Sequence, residues 1–147
     1  MAKVNVYLTF DGNCEEAFNF YKSVFGVEFA SFCRYSEAPD IPGMPPISEA
    51  DKNKIMHAAL CISQETCLMG GDFCDFVPSM KFAQGNNFSI CISPSDEAEA
   101  RNLFESLAAG GVITMPLEKQ FWGSLNGSLI DKFGIAWMVD FEIEQPK

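Results

Sequence analysis

The chain has 147 residues, of which 48% are apolar, and it carries a formal net charge of −10. This length and composition predict one folded domain with a real core and argue against disorder. The negative charge repels polyanions, which excludes nucleic-acid binding as a leading function. No apolar run approaches the roughly 20 residues that cross a bilayer, so no membrane partner is expected.

The beginning of the chain, MAKVNVYLTF, lacks the long apolar segment of a signal peptide, so a cytoplasmic location is expected. The six cysteines are Cys14, Cys33, Cys61, Cys67, Cys74 and Cys91. None forms a C-x-x-C pair, and most lie in apolar segments. Free, buried thiols are therefore expected, rather than a disulfide framework or a structural zinc site.

The first half of the chain predicts the order strand, helix, strand, strand, strand. The helix is predicted from Cys14 to Phe25, with Asn13 as N-cap and Gly26 as the C-terminal stop. The predicted strands are 4–10, 27–35, 54–63 and 66–72, and the last two form a hairpin. Between the second and third of these strands, residues 36–53 form a Pro-rich loop in which helix and central strand are excluded.

The pattern repeats after a connector at 72–85. Ser93 is the expected N-cap of a second helix that ends at Gly110-Gly111. Its predicted buried stripe consists of Ala100, Leu103, Phe104 and Leu107. The predicted strands are 86–92, 112–120, 121–131 and 135–144, with an edge or a bulge at Pro116.

The same order of elements therefore occurs twice, although residue identity between the halves is weak. This repeat predicts a single domain of two modules, approximately 1–71 and 86–147. Duplicated units of this kind pair their sheets and leave a concave apolar face, which is a natural cleft for a small molecule.

Four segments, YLTFDGNCEEAFNFYKSVFG, MHAAL, LMGGD and FWGSLNGSLIDKFGIAWMV, cover much of both halves. Together they resemble the vicinal oxygen chelate superfamily, which includes glyoxalase I, bleomycin- and fosfomycin-resistance proteins and extradiol dioxygenases. Within it they are most similar to the PhnB-like branch, whose members also carry a demethylubiquinone methyltransferase label. The resemblance implies an α+β fold of tandem βαβββ modules with curved mixed sheets, and a homodimer.

In metal-using members of this superfamily, His and Glu from the first and last strands of each half hold one divalent cation. The corresponding segments here are 6–10, 66–69, 87–90 and 137–140, and none of them contains His or Glu. A catalytic metal is therefore not expected, since hard cations need oxygen or imidazole ligands. The chain also contains no G-x-G-x-x-G motif, so the dinucleotide or adenosylmethionine site of a Rossmann fold is not expected.

His57 is the single histidine of the chain and is predicted on the third strand of the first half. Three interpretations remain open: a pocket residue that hydrogen-bonds a ligand, an interior or interface residue, and a metal ligand. Asp72 follows two glycines that permit a close approach of the backbone, and it is either a ligand-facing anion or the solvated end of a hairpin. Trp122 either stacks on a planar ligand or packs in a core or dimer contact.

The leading interpretation is a protein that binds a small organic molecule in an apolar cleft without a catalytic metal. The predicted ligand-binding residues are His57, Met69, Asp72, Phe88, Trp122 and Trp137. No catalytic residue is assigned, and whether the protein is an enzyme stays open. The alternatives are a glyoxalase- or dioxygenase-like metalloenzyme with unusual ligands, and an antibiotic-sequestering protein of the bleomycin-resistance type, whose cationic drug would suit the acidic charge.

Overall fold

The computed structural model describes residues 1–39, 42–43, 46–74 and 80–143. They belong to two compact units, Met1–Ala83 and Gln84–Lys147. Part of the predicted loop, part of the connector and the end of the last predicted strand lie outside the described residues. Among those that are described, no helix has the length and apolar character needed to cross a membrane.

The first unit contains a four-stranded mixed sheet and one long helix. In chain order its described elements are β1 (Val6–Phe10), α1 (Cys14–Phe25), β2 (Phe29–Arg34), a 3₁₀ turn (Tyr35–Glu37), β3 (Ile55–Cys61) and β4 (Cys67–Asp72). The strand order is β1-β4-β3-β2. β1 runs parallel to β4, and the other neighbours are antiparallel.

The second unit repeats this topology. Its described elements are β5 (Ile90–Ile92), α2 (Glu97–Ala108), β6 (Val112–Lys119), β7 (Ser124–Ile130) and β8 (Ala136–Glu142), and the strand order is β5-β8-β7-β6. Pro116 lies in edge strand β6, where the pairing register with β7 shifts, as predicted. The α+β fold with tandem βαβββ modules is therefore confirmed.

Helix α1 has the predicted bounds because its apolar residues recur at helical spacing. Its buried residues are Cys14, Ala17, Phe18 and Tyr21. Phe18 packs edge-on against Phe10 of β1, with ring centroids 6.0 Å apart. Gly26 ends the helix in the left-handed conformation, with φ of 65°, and its N–H donates to the carbonyl of Lys22.

The start of α1 differs from the prediction. The Asn13 side chain makes no capping hydrogen bond. Instead, Oδ1 of Asp72, at the end of β4, accepts hydrogen bonds from the N–H groups of Gly12 and Cys14 at 3.1 and 2.9 Å. The helix N-terminus is therefore capped by an anion from a distant strand, which is favourable next to its unpaired donors.

The start of α2 also requires a correction, since Ser93 is not its cap. Asp96 precedes the first helical residue and accepts a hydrogen bond from the N–H of Glu99 at 2.8 Å. Glu99 in turn accepts one from the N–H of Ser95, the residue before the cap, at 3.0 Å, so the arrangement is similar to a capping box. The predicted buried stripe of α2, Ala100, Leu103, Phe104 and Leu107, is confirmed.

Three predictions about strands and cysteines were wrong. The fifth strand is limited to Ile90–Ile92, so Phe88 precedes it. Cys61 and Cys67 form a disulfide, because the hairpin register places them directly opposite each other with Cα atoms 4.0 Å apart. Cys91, expected to be buried, is exposed.

Candidate functional site

The first sheet has one face covered by α1 and one open face. In β1, Leu8 and Phe10 are buried, whereas Tyr7 and Thr9 are exposed. Side chains alternate along a strand, so Tyr7 and Thr9 lie opposite the helix. We call this side the open face; the register with β4 places Tyr7 beside Met69 and Thr9 beside Gly71.

His57 lies on the same open face. Ala59 of β3 pairs with Met69, and His57 is two residues before Ala59 in the same strand. The imidazole ring stacks on Tyr7, with centroids 5.8 Å apart and an interplanar angle of 24°. Cys33 of β2 lies directly across from His57 in the antiparallel register.

Gly71 leaves the space that the Tyr7 phenol occupies. The hydroxyl of Tyr7 donates a hydrogen bond to the carbonyl oxygen of Met56 at 3.3 Å. A Cβ atom at Gly71 would lie 2.6 Å from that carbonyl oxygen and 2.9 Å from the Tyr7 hydroxyl. A glycine is therefore required here, since any side chain would displace either the phenol or the backbone of β3.

A cleft of about 290 Å³ opens beside the phenol. The residues that line it come from β1, from the end of β4 and from the segments that follow β2 and β4: Tyr7, Thr9, Tyr35, Gly71, Asp72, Phe73, Cys74 and Met80. The hydroxyl of Tyr35 donates to the carbonyl oxygen of Asp72 at 3.0 Å. The cleft thus combines two phenols, a hydroxyl and a thiol with the side chains of Phe73 and Met80.

The two phenols and the thiol of this cleft are neutral at neutral pH. Burial raises the pKa of the Tyr7 phenol above its ordinary value of 10.0, and it raises the pKa of Tyr35 further, with the Cys74 thiol as the next cause. Burial also raises the pKa of the Cys74 thiol above 9.0. These groups therefore donate and accept hydrogen bonds without carrying charge, which suits an uncharged ligand.

Asp72 borders the cleft, but its carboxylate serves the backbone. Oδ1 accepts from the N–H groups of Gly12 and Cys14, and Oδ2 accepts from the N–H of Ile55 at 2.8 Å. The residue is only 5% exposed. This geometry does not support the predicted role of Asp72 as an anion that faces a ligand, because its oxygens already have three donors.

His57 and Met69 are brought together on the open face, as their strands are neighbours. The three aromatic residues of the predicted set lie in the second unit. Phe88 is 59% exposed, and Trp122 is 56% exposed and packs edge-on against Phe121. Trp137 is only 2% exposed, and its indole N–H donates to Oδ2 of Asp131 at 2.8 Å. The prediction that Trp137 contacts a ligand is therefore corrected, because its ring is part of the core.

The second unit has its own cleft, of about 330 Å³. It is lined by the segment before α2 and by the end of β8: Ser93, Pro94, Ser95, Asp140, Phe141 and Glu142. Two of these six residues carry carboxylates, whereas the first cleft has one, Asp72, whose oxygens are taken by backbone donors. The Asp140 carboxylate accepts a hydrogen bond from the amide of Asn126 at 3.1 Å.

The strands that hold the metal in metal-using members of the superfamily offer few suitable donors here. On the open face of the first unit they carry Tyr7 and Thr9 on β1, and Met69 and Gly71 on β4. In the second unit, Cys91 of β5 lies beside Met138 of β8, and Asp140, two residues after Met138, supplies one carboxylate, which already accepts a hydrogen bond from Asn126. The described part of the chain contains no cluster of three or more His, Cys, Asp or Glu side chains that could hold a metal ion. This donor set does not fit a hard divalent cation.

Several residues of the first cleft were missed by the sequence analysis. Tyr7 and Thr9 could have been found, because they alternate with the core residues Leu8 and Phe10 in a predicted strand. Tyr35 and Cys74 had no local signal. They meet because the ends of β2 and β4 lie close together in the folded unit.

Comparisons with known proteins cover nearly the whole chain. The family described as 3-demethylubiquinone-9 3-methyltransferase matches residues 2–140. Protein YjdN of Escherichia coli is 30% identical over 95% of both chains. The structure of PA1353 from Pseudomonas aeruginosa is 34% identical with a TM-score of 0.82, over 97% of this chain and 98% of that one.

A PhnB protein from Bacillus cereus, described as a putative 3-demethylubiquinone-9 3-methyltransferase, is 30% identical over 95% of this chain and 99% of its own, with a TM-score of 0.72. A glyoxalase/bleomycin resistance protein/dioxygenase family enzyme from Burkholderia phytofirmans shares the fold, with a TM-score of 0.57, 14% identity and coverage of 95% and 96%. The chain therefore belongs to the PhnB-like, 3-demethylubiquinone-9 3-methyltransferase family, within the fold of the vicinal oxygen chelate superfamily.

Proposed function

We propose that the protein binds a small, uncharged organic molecule in the cleft of the first unit, without a resident metal. The observation that carries this proposal is the Tyr7 phenol. It is 52% exposed, stacks on His57 and borders the cleft. A large aromatic ring held in place beside a cavity, with a polar tip and an open surface, is typical of a ligand contact.

The size and chemistry of the cleft narrow the class of ligand. Its volume of about 290 Å³ is at the lower end of the range of small-molecule pockets, which suits a molecule with a single ring. Phe73 and Met80 supply apolar surface, while Thr9 and the two phenols supply hydrogen bonds. The Asp72 carboxylate is engaged with backbone donors, so the cleft favours a neutral ligand over a cation.

Neither metal chemistry nor methyl transfer is part of this proposal. The donor set at the superfamily positions suits weak hydrogen bonding rather than coordination of a hard cation. The name of the family refers to a methyltransferase, but the chain has no G-x-G-x-x-G motif that would bind adenosylmethionine in the Rossmann manner. We therefore propose binding alone. Tyr7 contacts the ligand from the wall of the cleft, and His57 and Met69 extend the binding surface beside Tyr7 on the open face.

Calorimetric titration with single-ring neutral compounds, first selected by thermal shift, tests the proposal. Tyr7→Ala should weaken the binding of a selected compound by at least about tenfold, or about 1.4 kcal/mol, since it removes the stacking surface. Trp122→Ala is the matched control, because it removes an equally exposed aromatic side chain from the second unit and should leave the affinity unchanged. Equal losses in both variants would contradict the assignment of the cleft.

Metal analysis by mass spectrometry on protein purified without an affinity tag tests the second part of the proposal. We expect far less than one equivalent of Zn, Mn, Ni or Fe per chain, and ligand binding that is unchanged by a chelator. One stoichiometric equivalent that is lost together with ligand binding would favour the metalloenzyme alternative.

We also propose that the protein acts as a homodimer in the cytoplasm. Edge strand β6 supports the dimer, because Val112, Ile113 and Met115 are each about half exposed there. Free thiols at Cys14, Cys33, Cys74 and Cys91 agree with a reducing compartment. Light scattering coupled to size-exclusion chromatography should give twice the mass of the 16.3 kDa chain, and a monomer at micromolar concentration would refute the dimer.

A further inference from the structure

The Cys61–Cys67 disulfide lies on the open face of the first sheet. Cys61 is two residues after Ala59 in β3, and Cys67 is two residues before Met69 in β4, so both share the face of Met69. The disulfide joins the last pair of residues in the β3–β4 ladder. The bond therefore stands at one end of the surface that carries the proposed ligand contacts.

The hairpin is held closed by contacts that do not involve this bond. The N–H of Ile62 donates to the carbonyl of Thr66 at 3.1 Å, and the Ser63 and Thr66 hydroxyls are 3.1 Å apart. Oγ of Ser63 also accepts from the N–H groups of Glu65 and Thr66. The disulfide spans only six positions of sequence, and a disulfide stabilises least when it closes a short loop. Cleavage should therefore leave the hairpin in place.

The two cysteine residues differ in exposure. Cys61 is exposed, whereas Cys67 is half-buried and its N–H is held by Oδ1 of Asn5 at 2.9 Å. An incoming thiolate therefore reaches Cys61 first. Cys14 and Cys74 are much less accessible, since both are buried in the first unit.

We propose that Cys61 and Cys67 form a reversible thiol–disulfide site that exchanges with small thiols and dithiols. A thiolate of the reductant attacks Sγ of Cys61, and the bonding electron pair leaves with Sγ of Cys67, which takes a proton from water. The second thiol of a dithiol then attacks the reductant's own sulfur in the mixed disulfide and releases Cys61. One dithiol is thereby oxidised to a disulfide while the protein pair is reduced to two thiols.

The state of the pair can be read by mass spectrometry on the native protein. Glu65 lies between the two cysteines, so cleavage after glutamate leaves their peptides joined only through the disulfide. After treatment with dithiothreitol and then N-ethylmaleimide, the peptides should separate. The first should carry an adduct at Cys61, and the second, which also contains Cys74 and Cys91, should carry one at Cys67. Oxidised glutathione, added after removal of dithiothreitol and before alkylation, should join them again.

Reduction should change the fold little. The far-ultraviolet circular dichroism spectrum should stay unchanged, and Tm should decrease by less than about 5 °C. The proposal would be overturned if dithiothreitol separated the peptides only in the presence of denaturant. It would also be overturned if the reduced protein no longer unfolded cooperatively. Failure of the cysteines to join again in oxidised glutathione would overturn it as well.

Two variants test which cysteines take part in the exchange. In Cys67→Ser, oxidised glutathione should add one glutathione to Cys61, because the exposed thiol has lost its intramolecular partner. Absence of this adduct would refute the assignment of Cys61 as the attacked sulfur. Cys33→Ser, which removes a free thiol from the same sheet, should leave the exchange of the pair unchanged, and loss of exchange there would show that Cys33 is the true partner.

Discussion

At the scale of single residues, Asp72 does more for the fold than for a ligand. It is buried at the end of β4, and its two carboxylate oxygens accept three backbone hydrogen bonds. Two of these come from the turn and the first residue of α1, and the third comes from Ile55 at the start of β3. One carboxylate therefore ties a helix and two strands together beside the proposed site.

Asp72→Ala should lower the free energy of unfolding by about 3 kcal/mol or more, because three backbone donors lose their acceptor. Urea unfolding followed by circular dichroism measures this loss. Asp11→Ala, on the exposed turn before α1, is the control and should change stability by less than about 0.5 kcal/mol. If the two variants were equally stable, the structural role given to Asp72 would be wrong.

Cys14 supplies a prediction about alkaline pH. Burial raises the pKa of its thiol from 9.0 to about 12, and the adjacent Asp72 carboxylate adds to the shift. Between these values the folded state keeps a proton that the unfolded chain releases, so the free energy of unfolding falls as pH rises. In Cys14→Ala this fall should be shallower by about 1.4 kcal/mol per pH unit. Urea unfolding at several pH values within that window tests it, and parallel slopes for the two proteins would contradict it.

At the scale of elements, the two helices begin with different caps, but in both a carboxylate accepts hydrogen bonds from backbone N–H groups at the helix start. α1 is capped from a distance by Asp72, whereas α2 is capped locally by Asp96 and Glu99. Ser93, which the sequence pattern favoured, lies at the second cleft instead. The difference arises because the helix begins at Glu97, so that its cap lies three residues after the predicted one.

Asp96→Ala should therefore cost about 1 kcal/mol of stability, which is the usual effect of losing an N-cap. Ser93→Ala is its matched control and should stay within about 0.5 kcal/mol of the unchanged protein. Thermal unfolding of the two variants side by side provides the comparison. A larger loss in Ser93→Ala than in Asp96→Ala would restore the original prediction for the helix start.

Local patterns in the sequence predicted the elements well. The bounds of α1 and the buried stripe of α2 were found because they depend on residues three and four positions apart. The Asp72 cap could not be predicted, since its partners are about 60 residues away and meet only through strand pairing. The Cys61–Cys67 bond likewise depends on the register of one hairpin, which sequence spacing does not reveal.

At the scale of the whole molecule, the repeated topology carries two clefts of different chemistry. The first is lined by phenol, hydroxyl and thiol groups beside the Asp72 carboxylate, which accepts only backbone hydrogen bonds. The second includes the carboxylates of Asp140 and Glu142. Of the predicted site residues, His57 and Met69 lie on the open face beside Tyr7. The two units therefore share a strand order, while the side chains that line their clefts differ.

The central claim is that the open face of the first sheet binds a small neutral molecule. An assigned ¹H–¹⁵N correlation spectrum of the full chain, titrated with a single-ring compound selected by thermal shift, tests it most directly. We expect saturable shifts of the backbone amides of Tyr7, Thr9, His57 and Gly71, with the amides of Ser93 and Ser95 unchanged. Saturable shifts confined to Ser93, Ser95 and Asp140 would place binding in the second unit and contradict the account.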